Sequence, residues 1–434
     1  MTTLNPAGGP PAGGPGADGP PPATEPAGPP PKRRVPGWAR GAGAAAAAVA
    51  VLVVTSALTG QHELTSSGTA QAALRLLLPI LLAGLGGLWA ERAGVINLGL
   101  EGMMILGTWG GAFAGLNWGP WAAVLGGVLF GVLGGLLHAL ATVTFGVNHI
   151  VSGVAITLLA AGLTKYLSTL IFQPTSHNPR QSAPLTGFDT YSVQPLGNWL
   201  GTVEDHHTPV LSDLAGLLRG LLTGFTPLVL LGLLLVPVSY WVLWRTRFGL
   251  RLRSCGENPY AAESLGVNVY RYKYAAMAVS GGLAGMGGVA LVLNPGQLGY
   301  LEGQTGGRGY IGLAAMIFGN WRPGGLLAGS ALFGYVDGLQ LRAGGQAVHD
   351  LLYGASLLAI VVAIAWALRR RWLPSVLAAA AGIAAYAVYF FTDTVPREFA
   401  TYAPQLVTLV VLAVAAQRLR PPDADGLEYR RGSE

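Results

Sequence analysis

The sequence predicts an all-α, polytopic membrane protein of about 10–12 transmembrane helices, some broken or re-entrant, with both termini in the cytoplasm. Three observations carry this. Of 434 residues, 51% are hydrophobic and only 11% charged, with a mean hydropathy of +0.48, whereas a soluble chain carries about 25% charged residues. Apolar runs long enough to cross a bilayer recur along the chain, and lysine and arginine are distributed unevenly between alternate loops.

Taken in order, residues 1–40 form a Pro/Gly/Ala-rich, basic cytoplasmic tail. Its first 31 residues have too few apolar side chains to offset their ordering entropy and are expected to be disordered. Lys32, Arg33, Arg34 and Arg40 precede an uncleaved first span at 42–58. Further spans are expected at 72–90, 98–116, 121–144, 150–172, 225–244, 274–293, 324–341, 351–368, 373–391 and 403–416, with a short apolar segment at 310–318. That last segment is too short to cross alone and reads as half of a broken helix. A transmembrane core is placed at 41–371, an additional transmembrane hairpin at 372–418 and a cytoplasmic tail at 419–434.

Starting inside and alternating sides places 19 of the 26 lysines and arginines in the cytoplasm and 6 outside, with Lys165 inside a span. The reverse orientation would invert the positive-inside bias. The formal charge of +6 is thus a property of loops and no sign of nucleic-acid binding. The single cysteine, Cys255, excludes an intramolecular disulfide and a multi-cysteine metal site. No GxxxxGK[ST] phosphate loop, HExxH or catalytic triad is present, so no enzymatic role and no cofactor or metal bound by this chain is expected. If transport is active, its energy comes from a partner or an ion gradient.

Three polar interruptions are candidates for function. The first, ERAGVINLGLEGMM, sets two carboxylates, an asparagine and Gly94, Gly99 and Gly102 inside an apolar context. An ionised side chain near the bilayer centre costs about 2.5–3.5 kcal/mol on insertion scales, so Glu101 should face protein or a water-filled path. One reading is a broken helix lining a substrate path, unwound at its glycines (Gly99 among them), with Asn97 and Glu101 as hydrogen-bonding groups. The other is a cytoplasmic loop at Glu91-Arg92 followed by a helix end packed by small residues.

The second, at 294–325, is glycine-rich, and Gly312-Leu313 with Met316 repeats the offsets of Gly99-Leu100 with Met103. Paired, glycine-interrupted segments in two halves of a chain point to a transporter's midplane site. Glu302 and Arg308 would sit at its external mouth, while Lys165 either snorkels outward or pairs with a carboxylate. Asn148-His149 reads as a helix cap rather than a metal site. The long external loop at 173–223 is either a docking surface or a solvated connector, with a short helix at 214–222.

The third, the basic stretch 245–273, contains a short helix at 259–265. Asn258 fits its cap, Pro259 its first position and Gly266 the residue past its end. Such a projection either docks on a soluble partner or lies on lipid headgroups.

ERAGVINLGLEGMMILG, FGLRLRSCGENPYAAESLGVNVYRYKY and GGRGYIGLAAMIFGNWRPGG together resemble the permease subunits of bacterial ABC importers for simple sugars, branched-chain amino acids and nucleosides. The INLGLEGMM form looks most like the nucleoside branch, and the resemblance covers about 72–368. It implies that residues 249–266 are the coupling loop inserted into an ATPase subunit, with Gly249, Gly256, Glu257, Asn258, Ala261, Ala262 and Gly266 matching the family pattern. It also implies ATP and Mg on that partner, a second permease chain (different or identical) and an external substrate-binding lipoprotein. The setting would be the lipid of the bacterial cytoplasmic membrane. The other classes left open are an ion-coupled secondary transporter and a channel or receptor-like module.

Overall fold

The computed structural model describes residues 37–206, 208, 210–396, 402 and 419–430. The chain separates into two units, Met1–Ala47 and Ala48–Glu434. The first is described only from Gly37 on, where it is helical; the second carries the membrane core. The expected disordered prefix and the expected span at 403–416 lie outside the described residues.

In chain order the helices are α1 (Gly37–Thr59), α2 (Ser67–Arg92), α3 (Leu100–Trp118), α4 (Pro120–Ala139), α5 (His149–Ile171), α6 (Gln173–Ser176), α7 (Gln194–Asp205) and α8 (Leu211–Leu222). They continue as α9 (Pro227–Arg245), α10 (Arg247–Glu257), α11 (Pro259–Ser264), α12 (Val269–Val292), α13 (Arg308–Phe318), α14 (Pro323–Leu368) and α15 (Trp372–Phe391). Among the described residues there are two isolated β-bridges and no strand. Among the described residues, seven helical segments are long and apolar enough to cross a membrane, and α1 and α13 contribute shorter apolar stretches. The fold is therefore all-α and polytopic.

Burial ranks the spans. The most apolar stretch of α2 is 83% buried and that of α12 is 78% buried, against 28% in α5 and 11% in α15. Hence α2 and α12 form the centre, and α5 and α15 present leucines outward. The centre is tight because glycine lets backbones touch. A Cβ added at Gly131 of α4 would lie 2.1 Å from the carbonyl oxygen of Gly281 on α12, and one at Gly107 of α3 would lie 2.4 Å from the Gly285 Cα. Overpacking costs about 1–3 kcal/mol, and here backbone rather than a flexible side chain would have to move. Gly131→Val is accordingly expected to lower the melting temperature of the solubilised permease by several degrees, read by a thermal unfolding assay.

Several boundaries follow local chemistry. Asn148 caps α5, its side-chain oxygen accepting from the N–H groups of Ile150 and Val151. α14 unites the expected spans 324–341 and 351–368 across a break at Gly344, whose φ of 62° is left-handed and strained for residues with a Cβ. The long connection at 173–223 is partly helical. It holds α7 and α8, pinned by an Arg219–Glu204 ion pair at 3.0 Å and by the Asp213 carboxylate, which accepts from Ser56 at 3.0 Å and from Thr65.

Candidate functional site

The polar interruptions meet inside the bundle. α2 ends in a left-handed turn, with Gly94 at φ 77° and the Val95 N–H bonded to the Ala90 carbonyl. Residues 95–99 are not helical, and Val95 and Asn97 are fully buried. Backbone freed in this way needs internal partners. The Ile96 N–H donates to His149 Nδ1 at 3.1 Å, and the Ile96 carbonyl accepts from His138 Nε2 at 3.1 Å. Asn97 accepts from the Gly99 N–H at 3.0 Å and donates to the Ser280 hydroxyl of α12 at 2.8 Å. The segment is thus unwound and packed in protein.

Helix α3 consequently opens inside the protein. Leu100 packs on Gly87 of α2 beside Leu313 and Met316 of α13, so the two segments with matching offsets converge on one glycine. Glu101 joins them. Its two oxygens accept from the N–H groups of Gly307 at 2.9 Å and Gly309 at 2.7 Å, capping the internal start of α13. Trp109 is buried among Phe113, Phe130 and Phe172 and donates to the Ser168 hydroxyl at 3.1 Å. Asn97, Gly99, Glu101 and Trp109 are therefore all placed on α3 or its approach, with their polar groups engaged by protein.

Sequence reasoning missed His138, Ser280 and the backbone-binding role of His149. The available signal was a polar side chain on an otherwise apolar helix. At one end of the bundle Glu302 lies 4.0 Å from Lys165 and 3.6 Å from Arg180, and at the start of α13 Arg308 pairs with Asp337 at 2.6 Å. Lys165 is 65% exposed at its side chain and lies near the Glu302 carboxylate.

At the opposite end the basic stretch forms a platform. Thr246 caps α10 by accepting from the Gly249 N–H at 3.1 Å, and Leu252 and Cys255 bury its inner face. Burial pushes the Cys255 thiol up to about 11, so it acts as packing. Asn258 caps α11, accepting from the Ala261 N–H at 2.9 Å. The helix ends at Ser264, one residue before the expected limit, and Gly266 takes a φ of 80°. Pro259 and Ala262 are buried, while Ala261 and Leu265 are exposed, the latter by 84%.

Gly249 and Gly256 allow close backbone approach. A Cβ would lie 2.1 Å from the Val242 carbonyl oxygen at the first and 2.4 Å from that of Arg92 at the second. Glu257 is half-exposed, 3.7 Å from Arg92, beside a cleft of about 630 Å³ lined by Arg92, Asn320, Arg322, Arg420 and Asp423. The platform thus sits directly under the end of α2 and the unwound segment.

The chain matches the family described as branched-chain amino acid transport system / permease component over residues 69–361. It is 31% identical over 360 residues to the nucleoside ABC transporter permease protein NupC of Lactococcus lactis, covering 81% of this chain and 93% of that protein. It is 33% identical over 270 residues to the guanosine ABC transporter permease protein NupQ of Bacillus subtilis, covering 61% and 78%. It is 35% identical over 278 residues to the putative glucose ABC transporter permease protein TsgC13 of Haloferax volcanii, covering 64% and 78%. No solved structure matches. Permeases of this family are non-enzymatic transport components that work with an ATPase and a substrate-binding protein. With its apolar helices, the chain is a multi-pass protein of the cytoplasmic membrane, belongs to the branched-chain amino acid transport system permease family, and is the permease subunit of an ABC importer.

Proposed function

We propose that this chain forms part of the translocation path for a nucleoside. The observation that carries this is the similarity to the Lactococcus lactis nucleoside permease over nearly the whole of that protein, together with that to the guanosine permease of Bacillus subtilis. A sugar is the second reading, favoured by the similarity to the Haloferax volcanii glucose permease. A second permease chain, different or identical, would pair with this one, and an external lipoprotein would deliver the solute. Both termini would be cytoplasmic.

The exposed face of α11, Ala261 and Leu265, would enter a groove of the ATPase, which holds ATP and Mg. Its movement would pass through Gly256 to the end of α2 and the unwound segment. Asn97, Gly99, Glu101 and Trp109 would shape the path rather than grip the solute, because their polar groups already bond to protein.

The test is uptake by the complete importer in a host lacking its own nucleoside uptake. Labelled guanosine should accumulate and be displaced by excess unlabelled nucleoside, but not by glucose or leucine. Accumulation of glucose alone would move the assignment to sugars.

A further inference from the structure

Residues 419–430, within the segment expected as a cytoplasmic tail, fold back onto the platform and touch the junction of α10 and α11, the link between α13 and α14, and the unwound segment. The Ala424 N–H donates to the Gly256 carbonyl at 2.9 Å and the Asp423 N–H to the Glu257 carboxylate at 3.3 Å, at the junction of α10 and α11. The Arg420 N–H donates to the Asn320 side chain at 2.9 Å, between α13 and α14. Gly426 packs against the Ile96 side chain of the unwound segment, and the Ala424 carbonyl lies over Gly94.

Tyr429 makes the firmest contact. It is buried, with ring centroids 5.3 Å from Tyr260 and 5.6 Å from Tyr270, the Lys273 ammonium 5.9 Å from its own centroid, and a place in one apolar cluster with Cys255, Ala262 and Val269.

These contacts answer a mechanical problem. α11 has six residues and buries only Pro259 and Ala262, too little for a helix of that length to hold its own position. Asn258 and the left-handed Gly266 flank it as points where the chain can bend. A push on such an element is absorbed by bending unless the element is braced.

We propose that residues 419–430 are a brace for α11, with Tyr429 and Asp425 as positioning residues that transmit its movement to α2 and the unwound segment. This rests on the reading of α11 as the contact with the ATPase.

The brace has a titratable joint. Asp425 faces Glu91 at the end of α2, with Arg92 on the same helix and Lys273 on α12 nearby, and with the Cys255 thiol of α10 beside Lys273. The Asp425 and Glu91 carboxyls meet side chain to side chain, an arrangement in which the two share one proton. Burial pushes Asp425 up to about 7, against the pull of Lys273 and Arg92. An undocked aspartate titrates near about 4. The docked tail therefore holds a proton that a free tail releases, so docking is fullest in acid and weakens as pH rises through about 7.

The experiment uses the complete importer in proteoliposomes and reads solute moved per ATP hydrolysed, with the ATPase-side buffer varied between about pH 6 and pH 8 around the Asp425 midpoint. Tyr429→Ala should lower that ratio about tenfold with the ATPase still bound, and Tyr429→Phe, which keeps the ring, should restore most of it. Asp425→Asn should remove the fall in the ratio seen in the wild type as pH rises. Ala261→Asp serves as the reference for the α11 reading. If it abolishes uptake while Tyr429→Ala and Asp425→Asn both keep the wild-type ratio and pH profile, the brace is wrong. If Ala261→Asp itself is silent, the α11 reading falls and takes the brace with it.

Discussion

Ala261→Asp combined with Leu265→Asp is expected to bring uptake to background while the permease inserts and folds normally. Both side chains are exposed, so their replacement should change folding stability by no more than about 0.5 kcal/mol. If this face enters an ATPase groove, two carboxylates would be desolvated there without partners. Losses at the centre of an interface run to about 2–4 kcal/mol, or roughly 30- to 1,000-fold in association. Co-purification of the ATPase with the tagged permease should fall in parallel with uptake. A variant with full uptake and full co-purification would remove α11 from the mechanism.

The second large effect is expected at Glu101. Glu101→Ala leaves the half-buried N–H of Gly307 and the buried N–H of Gly309 without acceptors, the latter at about 1–3 kcal/mol. The start of α13 should loosen and uptake should be lost. Glu101→Gln keeps one acceptor oxygen and replaces the other with an NH₂ group that cannot accept, so an intermediate loss is expected. Melting temperature and initial uptake rate, measured on the same preparations, should rank wild type above Gln above Ala. An alanine variant as stable as the wild type would show that the cap contributes nothing.

Local features of this fold were legible because they are written in neighbouring residues. The Asn258–Gly266 punctuation gave α11 to within one residue, and the short apolar run at 310–318 gave α13 apart from its first two residues. Gly94 and Gly99 marked an unwound stretch that the structure contains. By contrast, α10 was hidden because arginines interleave its apolar positions Phe248, Leu252 and Cys255, although their spacing is helical.

Partnerships across the chain were not legible. Glu101 finds Gly307 and Gly309 more than 200 positions away, and Tyr429 finds Tyr260 across most of the second half. No periodicity or composition specifies such meetings. They result from how the spans pack, and the histidines that satisfy residue 96 belong to the same class.

The internal starts of α3 and α13 have an electrical corollary. A helix start carries about half a positive charge, so two of them facing inward sum to about one. The carboxylate at position 101 sits on one start and bonds the other, offsetting that sum, while Arg308 at the second start is balanced by Asp337.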